Sequence, residues 1–223
     1  MLARVEAIFR AVLSGAAALA RFLENDPDAV HVKASAGALI ESIPHHLYAG
    51  DTGLHLAAAA LDPETAALLL DAGADPNAGN RRNARPLHYA CDPRPGNGVA
   101  GRARAQASLI RLLVKGGADI NAPDSGGATP LHRAVRARSP AAVRELLSLG
   151  ARTDCILRRR GSSPLHLATQ STGAGGTAGT LAAQLEIIDL LLTHGADPAA
   201  RDGEGQTPRD WARSPRVRES LDR

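Results

Sequence analysis

One short pattern recurs along the chain, and its recurrence limits the possible folds more than any other feature. Thr52-Gly53-Leu54-His55-Leu56-Ala57 is followed by Arg85-Pro86-Leu87-His88-Tyr89-Ala90, Thr129-Pro130-Leu131-His132-Arg133-Ala134, Ser163-Pro164-Leu165-His166-Leu167-Ala168 and Thr207-Pro208-Arg209-Asp210-Trp211-Ala212. Behind each of the first four comes a second marker, a Leu-Leu pair running into Gly-Ala. It reads Leu69-Leu70 to Gly73-Ala74, Leu112-Leu113 to Gly117-Ala118, Leu146-Leu147 to Gly150-Ala151, and Leu191-Leu192 to Gly195-Ala196. A chain of this kind stacks copies of one small unit, each leaning on its neighbours.

The chemistry of one unit follows from its residues. Thr or Ser ahead of Pro caps a helix whose first position tolerates the missing N–H. The Leu points inward, and the Ala two positions after His lets neighbouring helices approach closely. A second helix opens with its own cap and proline at Asp62-Pro63, Ser139-Pro140 and Ser214-Pro215. It carries the Leu-Leu pair and ends at a Gly suited to the left-handed position. The Asp-Pro-Asn, Asp-Ile-Asn or Asp-Pro-Ala stretch that follows has turn chemistry.

This pattern closely resembles the ankyrin-repeat family, whose T-P-L-H-x-A motif repeats every ~33 residues. The resemblance covers about residues 48–213. It implies an all-α solenoid of stacked helix-turn-helix units with hairpin-loop fingers. Arg85, Ser163, Gly53 and Arg152 depart from the family pattern without disturbing its register.

Six segments are expected: a degenerate N-terminal cap with a long connection (1–47), full units at 48–80, 81–124, 125–157 and 158–202, and a truncated C-terminal cap (203–223). In the first, Glu6-Ala7-Ile8-Phe9 takes the place of the hexapeptide's start, and Gly15 separates two helices. In the last, Arg209 and Asp210 replace Leu and His, as a terminal unit with one solvated face requires.

The hexapeptides are separated by 33, 44, 34 and 44 residues, so units two and four each gain eleven residues between their helices. The inserts lie around Asp92–Arg104 and Ser171–Thr180, and their far ends, Ala103–Val114 and Leu181–Thr193, are expected to lengthen the second helix. Inserts in alternate units would project from one end as two neighbouring lobes. They are either functional loops or tolerated surface insertions.

Composition agrees with a small-residue stack. Aromatics make up 2% of the 223 residues, too few for an ordinary large core. No run of 18 apolar residues exists, so no membrane span is expected. Two cysteines, Cys91 and Cys155, do not make a disulfide-stapled scaffold. Spacing leaves one bridge open, with packed thiols as the reading adopted. Glu6 and Arg10 interrupt what would be the apolar core of a signal peptide, whereas Val5, Ile8, Phe9, Val12 and Leu13 form a helical stripe. A cytoplasmic monomer is expected.

Catalytic chemistry finds little support. His55, His88, His132 and His166 occupy one place in successive units, with stacked helices ~8–10 Å apart. Zinc needs bonds of ~2 Å, so these four do not converge on one ion. The family resemblance implies a structural role, tying each helix start to adjacent backbone. His45-His46 lies in the long connection with no Cys or carboxylate cluster beside it. No G-x-S-x-G, H-E-x-x-H or Walker-type sequence is present, and Gly173–Gly179 lacks the Lys-Ser/Thr ending of a phosphate loop. Neither a cofactor nor a metal nor an enzymatic activity is expected.

Charge is unevenly placed. The net charge is +3, but residues 81–160 hold 16 Lys+Arg against 5 Asp+Glu, a local net of +11. The resemblance places Arg81, Arg82, Arg158, Arg159 and Arg160 at fingertips, and Arg133, Arg136 and Arg138 on or just after a first helix. Together with Tyr89 and Tyr48 as aromatic anchors, they would line a concave partner-binding face. Guanidinium groups suit carboxylates and phosphates. The reading is a non-catalytic module docking an acidic protein segment. A solvated rim that merely keeps the stack soluble is the plain alternative, and nucleic-acid binding is the other functional one. An enzyme built on the inserts lacks a nucleophile–base pair.

Overall fold

The computed structural model describes residues 2–35, 38–40, 45–92, 99–170 and 181–222. They fall into two compact units, one reaching Asp119 and the other beginning at Ile120.

Both units are built from helix pairs. The first holds α1 (Leu2–Leu13) with α2 (Ala16–Asn25), α3 (Gly53–Ala60) with α4 (Pro63–Asp71), and α5 (Pro86–Ala90) with α6 (Val99–Lys115). Leading helices stack on leading helices, α1 on α3 and α3 on α5, while α2 lies against α4 and α4 against α6. The second unit repeats the scheme with α7 (Pro130–Arg136) and α8 (Pro140–Ser148), α9 (Pro164–Thr169) and α10 (Leu181–Thr193), α11 (Pro208–Trp211) and α12 (Pro215–Glu219). Here α7 packs on α9 and α9 on α11, with α8 against α10. This is the all-α ankyrin solenoid arrangement within each unit.

Local chemistry explains the helix ends. Asp62 Oδ1 accepts from the N–H groups of Glu64 and Thr65 at 3.1 and 3.0 Å, and Ser139 Oγ accepts from that of Ala142 at 3.3 Å. Gly15 divides α1 from α2 at φ +92°, as the degenerate first unit requires. Gly150 follows α8 at φ +90°, a conformation in which a Cβ is strained.

The core is aliphatic. Leu19, Leu54, Leu69, Leu87 and Leu113 are fully buried in the first unit, and Leu131, Leu146, Leu165 and Leu191 in the second. The Ala that ends each hexapeptide is buried to 1% exposure or less, at Ala57, Ala90, Ala134, Ala168 and Ala212. With no side chain beyond Cβ there, neighbouring helices approach closely enough to dispense with aromatic filling.

One element was not expected. In the long connection β1 (Ala38–Ile40) pairs antiparallel with β2 (His45–Leu47), with Leu39 opposite His46. Strands of three residues offer too little alternation to be recognised in a sequence.

The lengthened second helices are present. α6 has 17 residues and α10 has 13, whereas α4 and α8 have 9 each. The insert loops themselves, 93–98 and 171–180, lie outside the described residues, and so do the expected lobes. Among the described residues no helix is long and apolar enough to cross a membrane.

Candidate functional site

The recurrent histidines are interior hydrogen-bonding groups. His55 Nδ1 accepts from the Thr52 N–H at 3.1 Å, and its Nε2 donates to the Ala84 carbonyl at 3.0 Å. His166 repeats this with Ser163 N–H at 3.2 Å and the Gln206 carbonyl at 3.0 Å. Such partners select the neutral tautomer protonated at Nε2. Burial holds the His55 imidazole below its ordinary pKa, outweighing the nearby Asp51 carboxylate. Among the described residues, no three His, Cys, Asp or Glu side chains are grouped to hold a metal ion.

Ahead of several leading helices stands a finger closed by an Asx residue. Asn80, Asp124 and Asp202 each accept, through Oδ1, from backbone N–H groups two and four residues onward, at 2.8 to 3.1 Å. The x residue of the hexapeptide, nine positions later, clamps the same side chain. Tyr89 Oη accepts from Asn80 Nδ2 at 2.9 Å, Arg133 Nη2 donates to Asp124 at 2.6 Å, and Trp211 Nε1 donates to Asp202 at 3.0 Å. Burial acts to raise the Asp124 carboxyl, but Arg133 and the N–H groups of Ala128 and Gly126 together bring it below its ordinary value.

The finger from Leu157 to Ser162 is built differently. Leu157 stands where the others have Asn or Asp, and Leu157 N–H bonds the Ser162 carbonyl at 3.0 Å. Its tip is Arg158, Arg159 and Arg160, all exposed. Arg160 lies over the Trp211 ring at 5.5 Å. In the first unit Arg81 and Arg82, also exposed, both lie over the Tyr48 ring at 5.3 and 4.8 Å. Arg81 N–H is fixed by the Ala49 carbonyl at 2.8 Å, and Arg158 N–H by that of Gly126 at 2.9 Å. Gly127, at φ +84°, allows this approach, because a Cβ there would meet Arg158 N at 2.8 Å.

Several arginines elsewhere are neutralised, whereas Arg10, Arg21, Arg104, Arg213 and Arg216 are exposed without a described carboxylate partner. Arg4 pairs with Asp26, Arg85 with Asp119, Arg144 with Glu186, Arg152 with Asp154 and Arg209 with Asp222. Among the described residues no carboxylate pairs with Arg81, Arg82, Arg158, Arg159 or Arg160. A stacked guanidinium retains its in-plane N–H donors for an incoming oxyanion.

Four sequence-derived site residues take other roles or remain apart. Tyr89 is not a surface anchor: it is 6% exposed, and its hydroxyl donates to Asp51 at 2.8 Å. Arg138 does not join the exposed tips either. It is 9% exposed, and its guanidinium donates to the carbonyls of Ala168, at 2.8 Å, and Gln170. Arg133 is tied to Asp124, while Arg136 is exposed on α7. Trp211 was missed. Its signal was its place, since it occupies the same hexapeptide position as Tyr89 and Arg133.

Like-on-like stacking of helix pairs behind hydrogen-bonded fingers defines a helical-repeat protein. Residues 98–202 match the family described as ankyrin repeats in three copies, and residues 49–81 match a single ankyrin repeat. The chain belongs to the ankyrin-repeat family. It is 36% identical to the ARF GTPase-activating protein GIT2 of Rattus norvegicus over 90 residues, 40% of this chain and 10% of that protein. Identity to GIT1 of Homo sapiens is 35% over 80 residues, 36% of this chain and 9% of that protein. It is 42% to ankyrin repeat and SOCS box protein 16 of Mus musculus over 72 residues, 32% and 13% of the two chains. The matches thus span about a tenth of the relatives' length. The repeats mark the chain as a protein-interaction module.

Proposed function

We propose that this chain is a non-catalytic interaction module whose fingertip arginines dock an acidic segment of a partner protein. The observation that carries the reading is the exposure of five tip arginines that no described carboxylate neutralises, three of them laid over aromatic rings. A solvated rim would be expected to interleave both signs of charge. Stacking restrains the guanidinium groups before binding, which lowers the ordering cost of forming an ion pair. Their charge would mainly set association rate and specificity.

Nucleic-acid binding is disfavoured by the aromatic positions. Single-strand platforms stack bases on open rings, whereas Tyr89 is buried and the Tyr48 ring is faced by two arginines. The relatives' catalytic names do not transfer, because the matched segments are a small part of those proteins.

Partner capture from a lysate tests the reading, comparing wild type with Arg159→Glu/Arg160→Glu and Arg81→Glu/Arg82→Glu. The expected result is loss of captured proteins on charge reversal, with no effect of nuclease on the wild type. Equal yields would exclude the fingertips as the docking surface, and loss of capture after nuclease would favour nucleic acid.

A further inference from the structure

We infer that the chain is bivalent: a two-repeat unit occurs twice, and each copy presents one arginine-tipped finger to an acidic segment. This rests on the acidic-segment reading and adds its stoichiometry.

The duplication is visible in backbone and sequence. Thr52 corresponds to Thr129, 77 residues on, and Arg85 to Ser163, 78 residues on. The inserts fall in the second repeat of each copy, and their bases are built alike. Gln106 Nε2 donates to the Ala90 carbonyl at 2.8 Å, and Gln184 Nε2 to the Ala168 carbonyl at 2.8 Å. Both glutamines are buried, and both cap a shortened leading helix of 5 or 6 residues. The boundary between the compact units, after Asp119, separates the copies.

The two fingers share their anchoring backbone bonds, although an Asn side chain closes only the first of them. Ala49 accepts from Arg81 N–H as Gly126 accepts from Arg158 N–H. Gly50 and Gly127, both at positive φ, make room for the following finger. Asn80 N–H bonds the Ala84 carbonyl as Leu157 N–H bonds that of Ser162. Arg81 and Arg82 therefore match Arg158 and Arg159, and Arg160 is the added residue that changes the offset from 77 to 78. Arginine is confined to these two tips: the finger Asp124–Ala128 has none, and the finger Asp202–Gln206 carries Glu204 instead. A charge pattern kept at one place in both copies, and absent from the finger between them and the one that follows, fits two separate acidic segments.

Isothermal titration with a short oligoglutamate peptide at low salt tests this on the full chain. The expected result is two peptides per chain, falling to one in Arg81→Glu/Arg82→Glu and to one in Arg158→Glu/Arg159→Glu, with binding lost when the two are combined. Circular dichroism melts unchanged from wild type establish that the variants are folded. A stoichiometry of one in the wild type, or loss of all binding in either double variant, overturns bivalency while leaving the acidic-segment reading intact. Absence of peptide binding to the wild type overturns that reading and bivalency with it.

Discussion

Arg138 Nη1 donates to the carbonyl of Ala168 at 2.8 Å, reaching from the end of one leading helix to the end of the next. Its backbone is left-handed at φ +54°, and the side chain is buried. A residue amid a run of positive charge thus serves as a helix cap. Arg138→Ala is expected to cost about 1–3 kcal/mol, because the Ala168 and Gln170 carbonyls lose a charged donor. Arg159→Ala, at an exposed tip, should change stability by less than about 0.5 kcal/mol. Urea unfolding of the two variants checks the contrast.

Tyr89 joins the first unit through Asp51, whose carboxylate also accepts from Asn80 Nδ2 at 2.8 Å. Removing one donor leaves a buried oxygen less satisfied. Tyr89→Phe is expected to lower stability by about 1–3 kcal/mol, read as a shift in urea midpoint. It should leave acidic-peptide affinity unchanged, since the ring does not face a ligand.

His55 gives the first unit a pH dependence. Burial lowers its native pKa below the ordinary 6.5, so the fold favours the neutral ring. Above that ordinary value the contribution to stability is complete. As pH falls, the unfolded chain takes up a proton that the native state resists, and stability declines until the lowered native value is reached. Urea midpoints measured between about pH 8 and pH 5 should therefore fall with acid, less steeply in His55→Gln.

Leu131 is 1% exposed in the second unit. Leu131→Ala is expected to cost about 2–5 kcal/mol, combining lost burial with a residual cavity. Gly150→Val acts by another route, since nothing lies within 4 Å of its Cβ position and only the left-handed backbone at φ +90° opposes the side chain. About 1–2 kcal/mol is expected there. Thermal denaturation of both variants checks the order.

The fold was legible because it rests on local signals: a cap before proline, a Leu pair, a glycine after the helix, all repeated in register. The site was legible only in part, since charge shows where arginines are but not what they face. Arg138 looked like its neighbours Arg133 and Arg136. Its clue was repeat position, for Leu61, also left-handed and buried, stands at the same place before Asp62 that Arg138 holds before Ser139. Tyr89 was misread because its partner Asp51 lies 38 residues away, a separation that carries no local pattern.

Docking of acidic segments at the arginine fingertips is read from backbone amide NMR spectra recorded during titration with oligoglutamate. Shifts concentrated at 80–84 and 157–162 are expected, with Leu131 and the other core amides unmoved. Shifts centred on other surfaces, with both fingers silent, would contradict that docking.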